Sequence, residues 1–360
     1  FVKVSDGAWM MQKRLYGIKS IGMSDPYVPD GYLALSYNEL TTERLAISEN
    51  DGKLYMFWDS EPDEWTFEEY LMNVNPVILK MIQESYSTKT ALKEPYFEMA
   101  MDLLHEYLTI GGLPEALDIF IQEKSYVDAT KILKEVYKNY LGDMDTYNVS
   151  TETILKTRNV YKNIFSQLNK ENKNFKVSLV EAGKSNRDYF NAYEWLELAH
   201  VIYRCRNIKG HVNFPLMEEY SGLFRLYLAD EGIFTFQSQV NQADFFVKDR
   251  RNTLSGVFYE NYIACEFAAK EIPLFYWTGK QTHEFEFIVY SGGKLYPIDS
   301  KKEKGSLGSL EEFRQINGPC TAIKISSNNF GYNKEKDILT IPHFAVFLLA
   351  DDLQNNSLTF

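Results

Sequence analysis

The apolar positions of this chain shift from strand period to helix period and back. Residues 1–65 hold short apolar runs broken by polar turns, such as "GYLALSYNEL" and "GKLYMFWDS", and these predict strands and loops. "EPDEWTFEEYLMNV" reads as a capped helix start. Helical spacing then continues to about residue 145 through "YFEMAMDLLHEYLTI" and "DATKILKEVYKNYLGDM". Gly111-Gly112-Leu113-Pro114 interrupts that run, as Gly and Pro do.

From 153 to 212 the pattern forms a second unit. "TILKTRNVYKNIFSQLNKE" is amphipathic, with Ile154, Val160, Ile164, Phe165 and Leu168 on one side. A short link, "FKVSLVE", leads to "SNRDYFNAYEWLELAHVIYRC", which predicts a helix with Tyr189, Tyr193, Leu196 and Ala199 in line, running into a strand. Helix, link, helix and strands is the order of a winged helix, which lays a helix in the DNA major groove or binds protein instead.

From about 220 onward the pattern predicts an α/β sheet. "GLFRLYLADEGIF" is a strand or helix start, and "SGVFYENYIACEFAAK" is a helix with Phe258, Ile263 and Phe267 toward a core. "LFYWTG", "EFEFIVY", "KLYPIDSKK", "TAIKIS" and "FAVFLL" read as strands, and "LGSLEEFRQIN" reads as a helix among them.

Composition narrows the class. The chain has 360 residues, 45% hydrophobic and 24% charged, which suits a globular protein of two or three domains. Its three cysteines, Cys205, Cys265 and Cys320, are far apart and suggest neither a disulfide framework nor a metal motif. They fit a reducing, cytoplasmic setting. No apolar run is long enough to span a bilayer, and the start of the chain is not a signal peptide. The net charge of −12 makes the whole chain a poor polyanion binder. Yet Lys156–Arg187 carries eight basic residues against two acids, the footprint of either a solvated helix face or a nucleic-acid contact.

Two stretches carry candidate chemistry. Gly183-Lys184-Ser185 has the end of a phosphate-binding loop, but the glycine needed five residues earlier is Ser178, and the residues between suit a strand. No nucleotide loop is expected there. The hairpin "EFEFIVYSGGKLYPIDSKK" is the better candidate. Glu284 and Glu286 share one face of its first strand, and Asp299 and Lys301 share a face of its second. Pairing around Ser291-Gly292-Gly293 brings an acid of the first strand near Asp299. Converging carboxylates suit Mg²⁺, with a lysine to offset charge on a reacting phosphate. Glu260 on the preceding helix could complete the set. Alternatively these are charges on a sheet edge, a position that Pro297 also fits. Of the five histidines, His200 reads as a core residue, and His283 lies next to the acidic strand; His105, His211 and His343 are scattered.

Several blocks, in order, resemble a family of bacterial and archaeal AAA-type ATPases that carry a winged helix and a C-terminal PD-(D/E)XK nuclease-like domain. They are "FEEYL", "EYLTIGGLPEAL", "SQLNKENKNFKVSLVEAGKSNRDYFNAYEWLELAHVIYRC", "FRLYLADEGIF", "GVFYENYIACEF", "LFYWTG", "EFEFIVY" and "YPIDSKK". The resemblance covers roughly residues 60–350 and implies an α/β multidomain chain. Residues 1–65 would be a remnant of the ATPase domain or a diverged segment, and 66–150 a helical linker region. A winged helix would occupy 151–215 and a restriction-endonuclease-like sheet domain 216–360. Lys301, Glu286 and Asp299 would be catalytic, and Glu260, Glu286 and Asp299 would bind the metal. Glu286 stands where the family has Asp, and Asp299 where it has Glu. The Walker loop is not in residues 1–65, so the chain is expected to be a fragment, with ATP belonging only to a missing N-terminal domain. The expected function is DNA binding through Lys162, Lys173, Lys176 and Arg187, with Mg²⁺-dependent phosphodiester hydrolysis. The alternative is an inactive protein- or DNA-interaction module on a relic nuclease fold.

Overall fold

The computed structural model describes residues 65–144, 150–216, 222–240, 255–280, 282–300 and 307–358, together with five short strands between Val2 and Trp58. The chain divides into two compact units, Phe1–Asp63 and Glu64–Phe360. In the first, β1 (Val2–Lys3), β2 (Ile18–Lys19), β3 (Tyr32–Asn38), β4 (Glu43–Ser48) and β5 (Leu54–Trp58) form a sheet of order β1-β5-β4-β3-β2. Every described pair in it is antiparallel, whereas nucleotide-binding α/β domains are built on parallel strands.

The second unit opens with helices whose ends are written in the sequence. Thr66 caps α1 (Phe67–Val74) in a reciprocal box with Glu69. Asn75 ends α1 and caps α2 (Pro76–Thr88) through the Ile78 N–H. α3 (Glu94–Ile110), α4 (Pro114–Glu123) and α5 (Tyr126–Asp143) follow.

Gly111 ends α3 at φ +81°, a region that favours glycine, and a Cβ there would lie 2.3 Å from an Asp230 carboxylate oxygen. That carboxylate accepts the Gly112 N–H at 2.7 Å and caps α8 (Glu231–Ser238) through the Ile233 N–H at 2.7 Å. Two distant motifs, Gly-Gly-Leu-Pro and Asp-Glu-Gly, are therefore halves of one junction.

Between these halves run α6 (Thr151–Leu168), a 3₁₀ turn at Val177–Leu179, α7 (Phe190–Leu198), β6 (Ile202–Lys209) and β7 (Phe224–Leu228). The residues before Gly183 suit a strand by composition, but their 3₁₀ turn bonds Val180 and Glu181 back to Val177. Gly183, at φ +80°, makes a turn instead of an anion-binding loop. β6 and β7 are antiparallel, and β6 also pairs in parallel with β8 (Phe275–Thr278), which pairs with β9 (Glu284–Phe285). This sheet, of order β7-β6-β8-β9, crosses residue 215.

α9 (Ser255–Ala269) is apolar on nearly all sides, from Val257 to Phe267, and runs through the middle of the unit. The second sheet has the order β10-β11-β12-β14-β13. Its strands are β10 (Phe287–Ser291), β11 (Lys294–Ser300), β12 (Ala322–Ser326), β13 (Gly331–Asn333) and β14 (Ile338–Pro342), with α10 (Gly308–Asn317) between β11 and β12. Gly292 and Gly293, both at positive φ, close the expected hairpin.

Three expectations change here. β11 lies between β10 and β12, so its charges are not edge charges. Pro297 is tolerated because the β12 ladder begins only at Ile298. "FAVFLL" is a 3₁₀ turn leading into α11 (Val346–Gln354) rather than a strand; its continuous apolar run fits a buried helix as well as a strand. His200 is exposed at φ +55° just beyond α7, not in the core. The larger of two apolar clusters runs from Phe67 to Leu358, and a smaller one gathers Ile208, Trp277, Phe285 and Phe313. Among the described residues no helix is long and apolar enough to cross a membrane.

Candidate functional site

The strand that begins at Glu284 changes sheets at Glu286. Residues up to Phe285 pair with β8, and residues from Phe287 pair with β11, so Glu286 sits at the break between the two ladders. Phe287 is opposite Ile298, which makes Glu286 and Asp299 the next facing pair. Asp299 lies close enough to Glu286 to act on its carboxyl. α9 supplies Glu260 from the core side. The structure thus brings together Glu260, Glu286 and Asp299; Lys301 lies outside the described residues.

Two cations from other segments of the unit, Lys173 and Arg225, enter this cluster. Arg225 on β7 is 2% exposed and forks, with Nη1 3.2 Å from Glu260 and Nη2 2.8 Å from Glu284. Its guanidinium lies 4.3 Å from the centre of the Tyr276 ring. Lys173, on the link after α6, ion-pairs with Glu260 and stands 3.9 Å from Glu286. Tyr227 donates to Glu260 at 2.7 Å, and the Ser300 N–H donates to Glu286 at 3.3 Å.

Burial alone would push the Glu260 carboxyl up, but Lys173, Arg225 and Tyr227 overcome it and hold Glu260 below the usual carboxylate range. Burial pushes Glu286 up to about 8, and the neighbouring Asp299 adds to the rise. Burial would lower the Lys173 ammonium, yet Glu260 and Glu286 hold it above its ordinary value.

A divalent cation needs oxygen ligands free to turn toward it. Here both Glu260 oxygens are taken, one by Lys173 and the other by Arg225 and Tyr227. Among the described residues, no group of three or more His, Cys, Asp or Glu could hold a metal ion. As arranged, the residues do not fit the Mg²⁺ that the resemblance implies.

The basic segment also resolves residue by residue. Lys162, Lys176 and Arg187 are exposed, as is Lys170. Lys173 is committed to the acid cluster, so its ammonium is not presented to an outside phosphate. Lys156 pairs with Glu152 at 2.7 Å, and Arg158 donates to the Leu141 carbonyl. Lys162 borders a cavity of about 650 Å³ walled by Tyr137 and Phe236. α7 carries no Lys or Arg, and its Glu194 and Glu197 neutralise Arg204.

Sequence reading missed two features. Arg225 and Lys173 gave no sign that they would meet the hairpin acids. His105 and His343 converge on Tyr259: His105 hydrogen-bonds its hydroxyl at 2.7 Å, and His343 stacks on its ring at 3.8 Å. Burial pushes these imidazoles down to about 4 and about 3, so both are neutral core groups. His283 Nδ1 hydrogen-bonds Glu312, not the acids of the cluster.

A family model described as a domain of unknown function (DUF8612) matches residues 101–244. That stretch holds Lys173 and Arg225 and ends before Glu260, Glu286 and Asp299. No curated protein and no solved structure matches the chain.

Proposed function

We propose that this chain is a non-hydrolysing interaction module on a nuclease-like frame, part of an AAA-type ATPase, with residues 151–215 as its winged helix. One observation carries the reading: Glu260, one of the acids expected to bind metal, is neutralised by Lys173 and Arg225 of the same chain. A buried ion-pair junction of this kind fixes how its elements dock, and it presents no open metal position. The order α6, 3₁₀ turn, α7 and β6 supports the winged-helix reading.

Lys162, Lys176 and Arg187 are exposed around this segment, while α7 offers no cation. Such a surface suits contact with the phosphates of DNA rather than with base edges. Its binding is sequence-independent and weakens steeply with salt. A protein partner is the second reading, favoured by Phe190 and Leu198 on α7, which are 55% and 79% exposed.

The test is incubation of linear, circular and single-stranded DNA, and of RNA, with Mg²⁺ or Mn²⁺, beside an Asp299→Ala control. Cleavage no greater than the control is expected. Metal-dependent cleavage lost in Asp299→Ala would overturn the reading. Steep salt dependence of DNA binding would favour the phosphate contact, and a flat one the protein partner.

A further inference from the structure

We infer that the cavity between α5, α6 and α8 seats one unpaired nucleotide of a nucleic-acid strand, with its base against Tyr137 and Phe236 and its phosphate on Lys162. The inference rests on the reading that Lys162 contacts DNA phosphate, and deepens it by adding a seat for a base.

Three helices build the cavity. α5 lines it with Val127, Leu133 and Tyr137, α6 with Lys162, and the end of α8 with Phe236 and Val240. Its volume of about 650 Å³ falls within the range of small-ligand pockets, roughly 300–1,000 Å³. The aromatic walls are held in place. The Tyr137 ring stacks on Tyr161 at 5.6 Å and meets Phe236 at 5.3 Å. Gln237 Nε2 donates to the Tyr161 carbonyl at 3.0 Å, which ties α8 to α6 one residue before Lys162. Rings fixed before binding cost little to order, and aromatic faces are what an unpaired base stacks on.

Charge selects the rest of the ligand. No Asp or Glu is among the described residues that line the cavity, although the chain's net charge is −12. Lys162 is exposed, and the residues one turn away on α6, Arg158, Asn159, Phe165 and Ser166, include no acid. Lys156 and Lys173 have acid partners; Lys162 has none among the described residues. On α5, Lys134 falls between Val127 and Thr130 around the helix, so a second exposed cation flanks the lining face. Aromatic walls with cations and no acid beside them suit a flat body that carries an anion. A base stacks through its face rather than its edge, so this contact is as sequence-tolerant as the phosphate contact. In a duplex that face is already covered by neighbouring bases, which restricts the seat to single strands and strand ends.

The experiment measures binding of the full chain to a thymidine single strand, to an abasic strand with the same number of phosphates, and to free thymidine monophosphate. Phe236→Leu and Lys162→Ala are measured beside it, with melting curves. The thymidine strand is expected to bind about tenfold more tightly than the abasic strand. Phe236→Leu should remove most of that ratio, and Lys162→Ala should weaken both strands. Equal affinity of the unaltered chain for the two strands would overturn the inference, and needs no variant to fold. A ratio left intact by folded Phe236→Leu would put the base elsewhere and overturn it too. So would thymidine monophosphate binding as tightly as the strand, because the occupant would then be a free nucleotide. Equal affinity for the two strands with a steep salt dependence would leave the phosphate contact standing, so the two claims fail separately.

Discussion

Arg225 and Glu260 face each other at 3.2 Å with both side chains 2% exposed, joining β7 to the central helix α9. A buried ion pair gives little net stability over a well-packed apolar pair, because both charges lose their water. Breaking it is another matter. Arg225→Leu leaves Glu284 without its partner and removes one of the two cations on Glu260. It is expected to lower unfolding free energy by about 3–5 kcal/mol in urea titration. Arg225→Lys should recover only part of that, because an ammonium cannot fork between two carboxylates.

Gly232 makes a sharper steric prediction. A Cβ at this position would lie 2.0 Å from the Ile110 carbonyl oxygen, which is backbone and cannot step aside. Gly232→Ala should therefore destabilise by about 3 kcal/mol or more. Gly256→Ala is the matching control. It lies in α9 with nothing within 4 Å of its added carbon, and should be neutral or stabilising by up to about 1 kcal/mol. Equal effects at the two sites would argue against the packing of α8 on the end of α3.

Stability should fall with rising pH through a defined group. Glu266 on α9 is 2% exposed; one oxygen accepts the Phe67 N–H at 3.2 Å and the other has no hydrogen-bond partner. Burial pushes its carboxyl up to about 8. The folded state therefore holds a proton that the unfolded chain releases near the ordinary carboxylate value. This contribution is complete below that value and lost as pH rises through about 8. Between pH ~6 and ~9 the loss should be about 2 kcal/mol, and Glu266→Gln should remove it. Glu286 acts in the same direction, so some slope remains in the variant. A variant with the parent's full slope would contradict the assignment.

Much of the fold was legible because local chemistry and tertiary structure agree. The Thr66–Glu69 box, the Gly111-Gly112 break, the apolar side of α6 and the Gly292-Gly293 hairpin each follow from residues close in sequence. That an acid of the first strand meets Asp299 was legible too; the register makes it Glu286. Lys173 and Arg225 were not, because an ion pair between distant segments leaves no periodicity. Lys173 belongs to a run of basic residues that looks uniform in sequence, and only burial separates it from Lys162, Lys176 and Arg187. The helix in "FAVFLL" was hidden for a different reason: a wholly buried segment is apolar at every position, so neither period stands out.

The most direct measurement of the acid cluster is a double-mutant cycle between Lys173 and Glu260, using Lys173→Met, Glu260→Gln and the pair together, read by urea unfolding. If the chain's own cation neutralises this carboxylate, the two changes should couple by about 2 kcal/mol or more. A coupling within about 0.5 kcal/mol of zero would mean that Lys173 and Glu260 act independently, and would contradict the internally neutralised site.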